Sequence, residues 1–168
     1  AKGVETERRD TLPYVTDISY DVRDALLYRR DEQEALRCFR ARMDALVANR
    51  VPIEKLTLKK NLSSKVQGKT DSIVQARVNA LRRAREPGSE ANVNEQVEYV
   101  ILNGHRKAKT TELGEDPEYA REHNLPLNRL WYFEHCIREA MRKVFQDFRT
   151  VDYDAGCKEY SNKLDAER

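Results

Sequence analysis

Between Lys55 and Arg85 nine residues are basic (Lys55, Lys59, Lys60, Lys65, Lys69, Arg77, Arg82, Arg83 and Arg85) and one, Asp71, is acidic. The window therefore carries a net charge of +8, while the whole 168-residue chain carries +2 and its remainder about −6. A mild overall balance hides a strong local one. Cations at this density suit phosphate groups, and Ser63 and Ser64 add hydroxyl donors of the kind that contact phosphate oxygens together with backbone N–H groups. Little aromatic interleaving accompanies them, which disfavours a single-strand stacking platform and favours tracking of a duplex backbone. The competing reading is that these side chains merely solvate an exposed surface.

Other chemistries find less support. The six glycines form neither GxGxxG nor GxxxxGK[ST], and no GxSxG elbow occurs. His105, His123 and His135 are separate in sequence; His135-Cys136 is adjacent, but neighbouring helical residues point about 100° apart and no second Cys/His pair follows. Asp152 and Asp154 have the alternating spacing of some metal-binding pairs, in a segment without apolar flanks to fix them. Most other carboxylates are interleaved with Lys and Arg, as on solvated helix faces. The expectation is a chain with no catalytic residues and no metal ligands of its own. Cys38, Cys136 and Cys157 are odd in number and widely spaced, which argues against a disulfide scaffold and fits a reducing compartment.

The elements that must position the basic window follow from periodicity. Charged residues make up 36% of the chain against a usual figure of about 25%, and mean hydropathy is −0.84, so the core is lean. No run of eighteen apolar residues occurs, and the first ten residues lack the apolar stretch of a signal peptide. The absence of an initiator Met suggests a segment of a longer chain. Residues 1–14 read as polar and extended. Val15, Ile18, Val22, Ala25 and Leu26 make one helical stripe; Leu36, Phe39, Met43, Leu46 and Val47 make a second over 32–49. The two predict a helical hairpin. Leu56–Lys60 alternates as a short strand, and a Gly- and Lys-bearing loop leads to a helix over 72–85 with Ile73, Ala76, Ala80 and Leu81 inward. Glu86-Pro87-Gly88-Ser89 is turn chemistry, and residues 96–102 are the best strand signal. Asp116-Pro117 opens a helix, Leu125–Asn128 is a linker with Asn128 as a further N-cap, and Leu130 to Phe148 is a last helix. Residues 149–168 read as a polar tail or frayed helix. The fold class is α+β, mostly α-helical, with a helical hairpin and a small antiparallel sheet.

These residues resemble a known family. Lys2-Gly3-Val4-Glu5-Thr6-Glu7-Arg8-Arg9-Asp10 is similar to the KGxExxRRD element that follows the palm of family B DNA polymerases, of delta-like or large-DNA-virus type. Leu56 to Ser63 resembles the "LxITKxLS" strand and loop of that family's thumb, with Lys60 on the motif lysine. Gln75 to Ser89 resembles its basic helix and turn, and Gln96 to Ile101 its "RVPYVI". Glu115 to Tyr119 with Leu125 to Asn128 is similar to "EDPxYxxExxLPID", and Trp131-Tyr132-Phe133 to "YYL". The likeness runs collinearly over residues 2–148. It departs at Gln75, where the family's helix often opens on His, and at Gln96 and Glu98, which stand for Arg and Pro.

The resemblance implies a thumb-like fold, with 1–14 as the palm-to-thumb connection, 15–148 as the thumb and 149–168 as a C-terminal tail. It implies a segment of a replicative DNA-directed DNA polymerase, a nucleotidyltransferase, that grips primer–template duplex by its sugar-phosphate backbone and supports processive synthesis. The implied contacts are Lys59, Lys60, Ser63, Ser64, Lys65, Arg77, Arg82 and Arg83, with Arg8 and Arg9 near the palm junction or in an intradomain salt bridge. Mg²⁺ belongs to the parent enzyme and not to this segment. The implied partners are double-stranded DNA, the palm and finger domains and a processivity factor, in a nucleus or an infected host cell. Two other readings stay open on sequence: a free-standing helical nucleic-acid-binding protein, and a protein-interaction adaptor.

Overall fold

The computed structural model describes residues 12–148 and 151–167, so Arg8 and Arg9 lie outside the described residues. These form two compact units, one from the described residues up to Leu56 together with those from Arg129 onward, the other from Thr57–Asn128.

In the first unit, α1 (Pro13–Tyr28) and α2 (Glu32–Val47) make the expected hairpin. Proline at the first helical position of α1 loses only an N–H that would lack a partner anyway. Arg30, at φ 49°, turns the chain, and Asp31 accepts hydrogen bonds from the N–H groups of Gln33 and Glu34 to start α2. Asn49 takes a left-handed φ of 58° while the Arg50 N–H donates to Ala45 O at 2.9 Å, a Schellman end. The Arg129 guanidinium donates to the freed carbonyls of Leu46 and Val47. A 3₁₀ turn (Ile53–Leu56) follows α2, and Lys55 pairs with Asp17 at 2.9 Å. The helix expected over Leu130 to Phe148 is not uniform. It runs as α6 (Arg129–Tyr132), a π-helical turn (Phe133–Ile137) and α7 (Arg138–Phe145).

The segment read as a polar tail contains α8 (Tyr153–Ala166). Asp152, set beside Asp154 in the sequence reading as a metal-type pair, caps this helix by accepting from the Ala155 N–H at 3.0 Å. Tyr153, Cys157, Tyr160 and Leu164 are all buried. They close a core centred on Phe39, whose ring lies 5.6, 5.4 and 6.4 Å from those of Phe145, Tyr153 and Tyr160. Aromatic pairs at these distances add to area burial.

Burial also makes this unit sensitive to alkali. It pushes the Tyr14 phenol up to about 12 from an ordinary 10.0, Arg42 opposing the shift, and pushes Tyr160 up to about 12, with Asp44 adding to the rise. Tyr153 moves the same way, again by burial first. A phenol that resists ionisation in the fold contributes stability fully present below its unfolded pKa and lost as pH rises through its folded one. We expect the near-ultraviolet circular dichroism of the protein to hold below pH 10 and to decline between pH 10 and 12, in step with tyrosinate absorbance.

In the second unit β1 (Leu58–Asn61), β2 (Gln96–Ile101) and β3 (Gly114–Glu115) form an antiparallel sheet in that order. A Leu102–Leu127 bridge extends the β2 end. α3 (Val74–Arg85) lies between β1 and β2 in sequence; α4 (Thr110–Leu113) and α5 (Pro117–Glu122) flank β3. Pro87 and Gly88, the latter at φ 98°, make the expected turn, closed by the Ser89 N–H donating to Glu86 O. Asp116 caps α5 through the Tyr119 N–H, as its sequence position predicts. α3 keeps Ala76 buried as expected, with Ile73 and Leu81 half-buried, but Val78 is buried where Ala80, expected inward, is exposed. The reason is Gly114. A Cβ there would sit 2.4 Å from a methyl of Val74 and 3.1 Å from one of Val78, so the backbone of β3 packs directly on those valines.

Candidate nucleic-acid interface

The basic window becomes β1, a loop of successive turns over 62–73, and α3. Side chains alternate along a strand, so Lys59 and Lys60 project to opposite sides of the sheet. Lys60 shares its side with Leu58 and with Val97 and Tyr99 of β2; Lys59 lies opposite Glu98 on the other. Both lysines are exposed. The loop is fixed at its ends by backbone bonds, Leu62 with Glu95 and Asn94, and Ile73 N–H to Lys69 O. The Gln75 amide donates to Asn61 O at 3.3 Å, tying the start of α3 to the end of β1. Position 75, where the resemblance weakens, thus has a structural task here. Ser63 is half-buried and its carbonyl accepts from Val66 and Gln67, while Ser64 and Lys65 are exposed on the loop.

Carboxylates from outside the window sort its nine cations. Lys55 pairs with Asp17, Lys59 with Glu98 at 3.4 Å, Arg82 with Asp116 at 3.7 Å, Arg83 with Glu90 at 4.0 Å and Arg85 with Glu115 at 2.6 Å. The arginines at the end of α3 form a latch. Arg85 donates from both terminal nitrogens to buried Glu115 and lies 3.4 Å over the Tyr119 ring. Glu115 also accepts from the Asp116 N–H, and its hydrogen bond holds the Arg85 guanidinium above its ordinary pKa. Arg82 donates to Ser89 O at 2.6 Å. Two of the helix's basic residues thus join α3 to the Pro87-Gly88 turn and to the β3–α5 corner.

Lys60, Lys65, Lys69 and Arg77 have no carboxylate partner among the described residues. Arg77 goes further: its Nε is buried and makes no hydrogen bond there. A buried donor without an acceptor is costly; Arg77 is the one arginine of α3 without a carboxylate partner among the described residues, and with its Nε buried only its terminal nitrogens can face an external anion. Lys69 was counted in the basic window but not singled out on sequence. The acids that sort the cations, Asp17, Glu90, Glu98, Glu115 and Asp116, carry no local signal of that pairing, since only the fold brings them to their partners. Among the described residues no group of three or more His, Cys, Asp or Glu side chains comes together, so the donors of a divalent metal site are not found there.

Comparison with known proteins agrees with the family that the sequence resembles. The model of DNA polymerase family B matches residues 1–147, and the chain belongs to that family. Among its relatives are catalytic subunits of DNA polymerase delta. That of Drosophila melanogaster is 30% identical over 148 residues, that of Dictyostelium discoideum 29% over 146 and that of Glycine max 28% over 145. Each match covers 86% of this chain and 13% of the relative.

Proposed function

We propose that this chain is the thumb segment of a replicative DNA-directed DNA polymerase, and that its second unit holds primer–template duplex by the sugar-phosphate backbone. The observation that carries this reading is the run of cations left without carboxylates, Lys60, Lys65, Lys69 and Arg77, on one continuous strand–loop–helix. Phosphate oxygens supply the missing acceptors, and the hydroxyl of exposed Ser64 adds a neutral donor. Such contacts fix register on a duplex without reading its sequence, as a polymerase that copies any template requires. In this reading nucleotidyl transfer and its Mg²⁺ belong to palm and finger domains of the parent enzyme. This chain's share is to keep the duplex in place between successive additions, with a processivity factor as a further partner. Lys59, Arg82 and Arg83 contribute less than their sequence positions imply, because each already faces a carboxylate.

Titration of a labelled primer–template duplex with the 168-residue chain tests this. Four phosphate contacts predict a log–log salt slope of about −3.6, at about −0.9 per phosphate, with little difference between duplex sequences. A flat salt response, or a preference above about tenfold for one sequence, overturns backbone tracking.

A further inference from the structure

The Lys59–Glu98 pair sits on the sheet that carries the proposed grip. β1 is an edge strand, and the register puts Glu98 directly across from Lys59. Their charged groups are 3.4 Å apart, and each side chain is 52% exposed. A pair so exposed contributes little to folding, so stability does not account for it. Their neighbours on the same side, Asn61 and Gln96, are uncharged and also face each other. Glu98 is therefore the acid that faces Lys59 from the adjoining strand.

We propose that Glu98 is a built-in competitor for Lys59 that tempers the hold on duplex. A phosphate approaching Lys59 must displace the carboxylate, which is screened but present at every encounter, and the freed carboxylate then repels the strand. Lys60, one residue on and on the opposite side of the sheet, has no such competitor among the described residues. The edge strand thus offers one lysine held in reserve and one available. This inference rests on the duplex-binding reading and adds to it a residue that limits affinity. A hold limited in this way favours release and translation along the duplex over static binding.

The test is anisotropy titration of a short labelled duplex of mixed sequence with the 168-residue chain at two salt concentrations, each variant first checked for fold by circular dichroism. Glu98→Gln is expected to bind about three- to tenfold tighter at low salt, with a slope steeper by up to about one unit. Lys59→Ala alone is expected to change little, and Glu98→Gln with Lys59→Ala is expected to lose the gain. Lys60→Ala serves as the reference for the underlying reading and should weaken binding. If Lys60→Ala weakens binding while Glu98→Gln binds like the parent chain, the competitor is refuted and the grip stands. A gain that persists in the double variant refutes Lys59 as the released group. If neither single variant moves the affinity, or if no variant binds, both the competitor and the reading beneath it fall.

Discussion

Phe39→Ala is expected to destabilise the first unit by about 3–5 kcal/mol, the usual cost of truncating a buried phenylalanine. The ring is 1% exposed and meets three other rings, from α7 and α8. Truncation leaves a void that none of these can enter without breaking its other contacts; Tyr153 is held by its hydroxyl to Arg138 O at 2.7 Å, and Tyr160 by its own to Asp44 at 3.1 Å. Against a typical total of about 5–15 kcal/mol, a loss of this size removes much of the margin. Phe39→Leu fills most of the volume and should recover more than half of it. Urea unfolding followed by near-ultraviolet circular dichroism measures both. A cost below about 1 kcal/mol for the alanine variant would mean that the aromatic cluster is not what holds α8 in place.

Replacing Lys60, Lys65, Lys69 and Arg77 together by alanine is expected to have the largest effect on DNA. With about four contacts at about −0.9 each, the unmodified chain should lose roughly 10²-fold in affinity over a fourfold rise in salt, and the quadruple variant almost none. Stability should change little at the three exposed lysines. The Arg77 change should cost little as well, since it removes a buried Nε that has no acceptor. Arg82→Ala with Arg85→Ala should show the opposite pattern, keeping most of the salt slope and losing stability, because Glu115 would be left buried without its cation. In a parent polymerase the quadruple variant should shorten the product made per encounter with primer–template, read with a DNA trap, while leaving the bond-forming step intact. A quadruple variant with an unchanged slope would reduce the basic face to solvated surface.

The helical hairpin, β2, the Pro87-Gly88 turn and the Asp116 cap were legible because each rests on local chemistry: a 3.6-residue stripe, an alternating run, a φ that glycine tolerates, a carboxylate before a proline. α8 is legible only as a tail or frayed helix, although Tyr153, Cys157, Tyr160 and Leu164 recur at helical spacing. Its buried stripe is built from tyrosines and a cysteine, whose polar tips hide the pattern in a hydropathy reading, and its partner Phe39 is more than a hundred residues away. The face of α3 was misjudged for a related reason. Which of two alanines goes inward depends on where a glycine of β3 lets the backbone approach. The basic window itself was plain in the sequence. How much of it remains available was not, because neutralising carboxylates come from α1, β2, β3, the cap of α5 and the loop before β2.

The arrangement of the two units also sets an order of assembly. Residues of the second unit are contiguous, so every one of its contacts can form as soon as that stretch has left the ribosome. The first unit cannot close in that way. Its hydroxyl bond from Tyr160 to Asp44 spans 116 positions and the Arg129 bond to Val47 at the end of α2 spans 82, with the whole second unit synthesised between. Loop closure on that scale is slow relative to local folding. During synthesis Phe39 therefore lacks its ring partners from α7 and α8 until those helices are made. Until that closure the uncovered aromatic surface is open to misassociation and to chaperones.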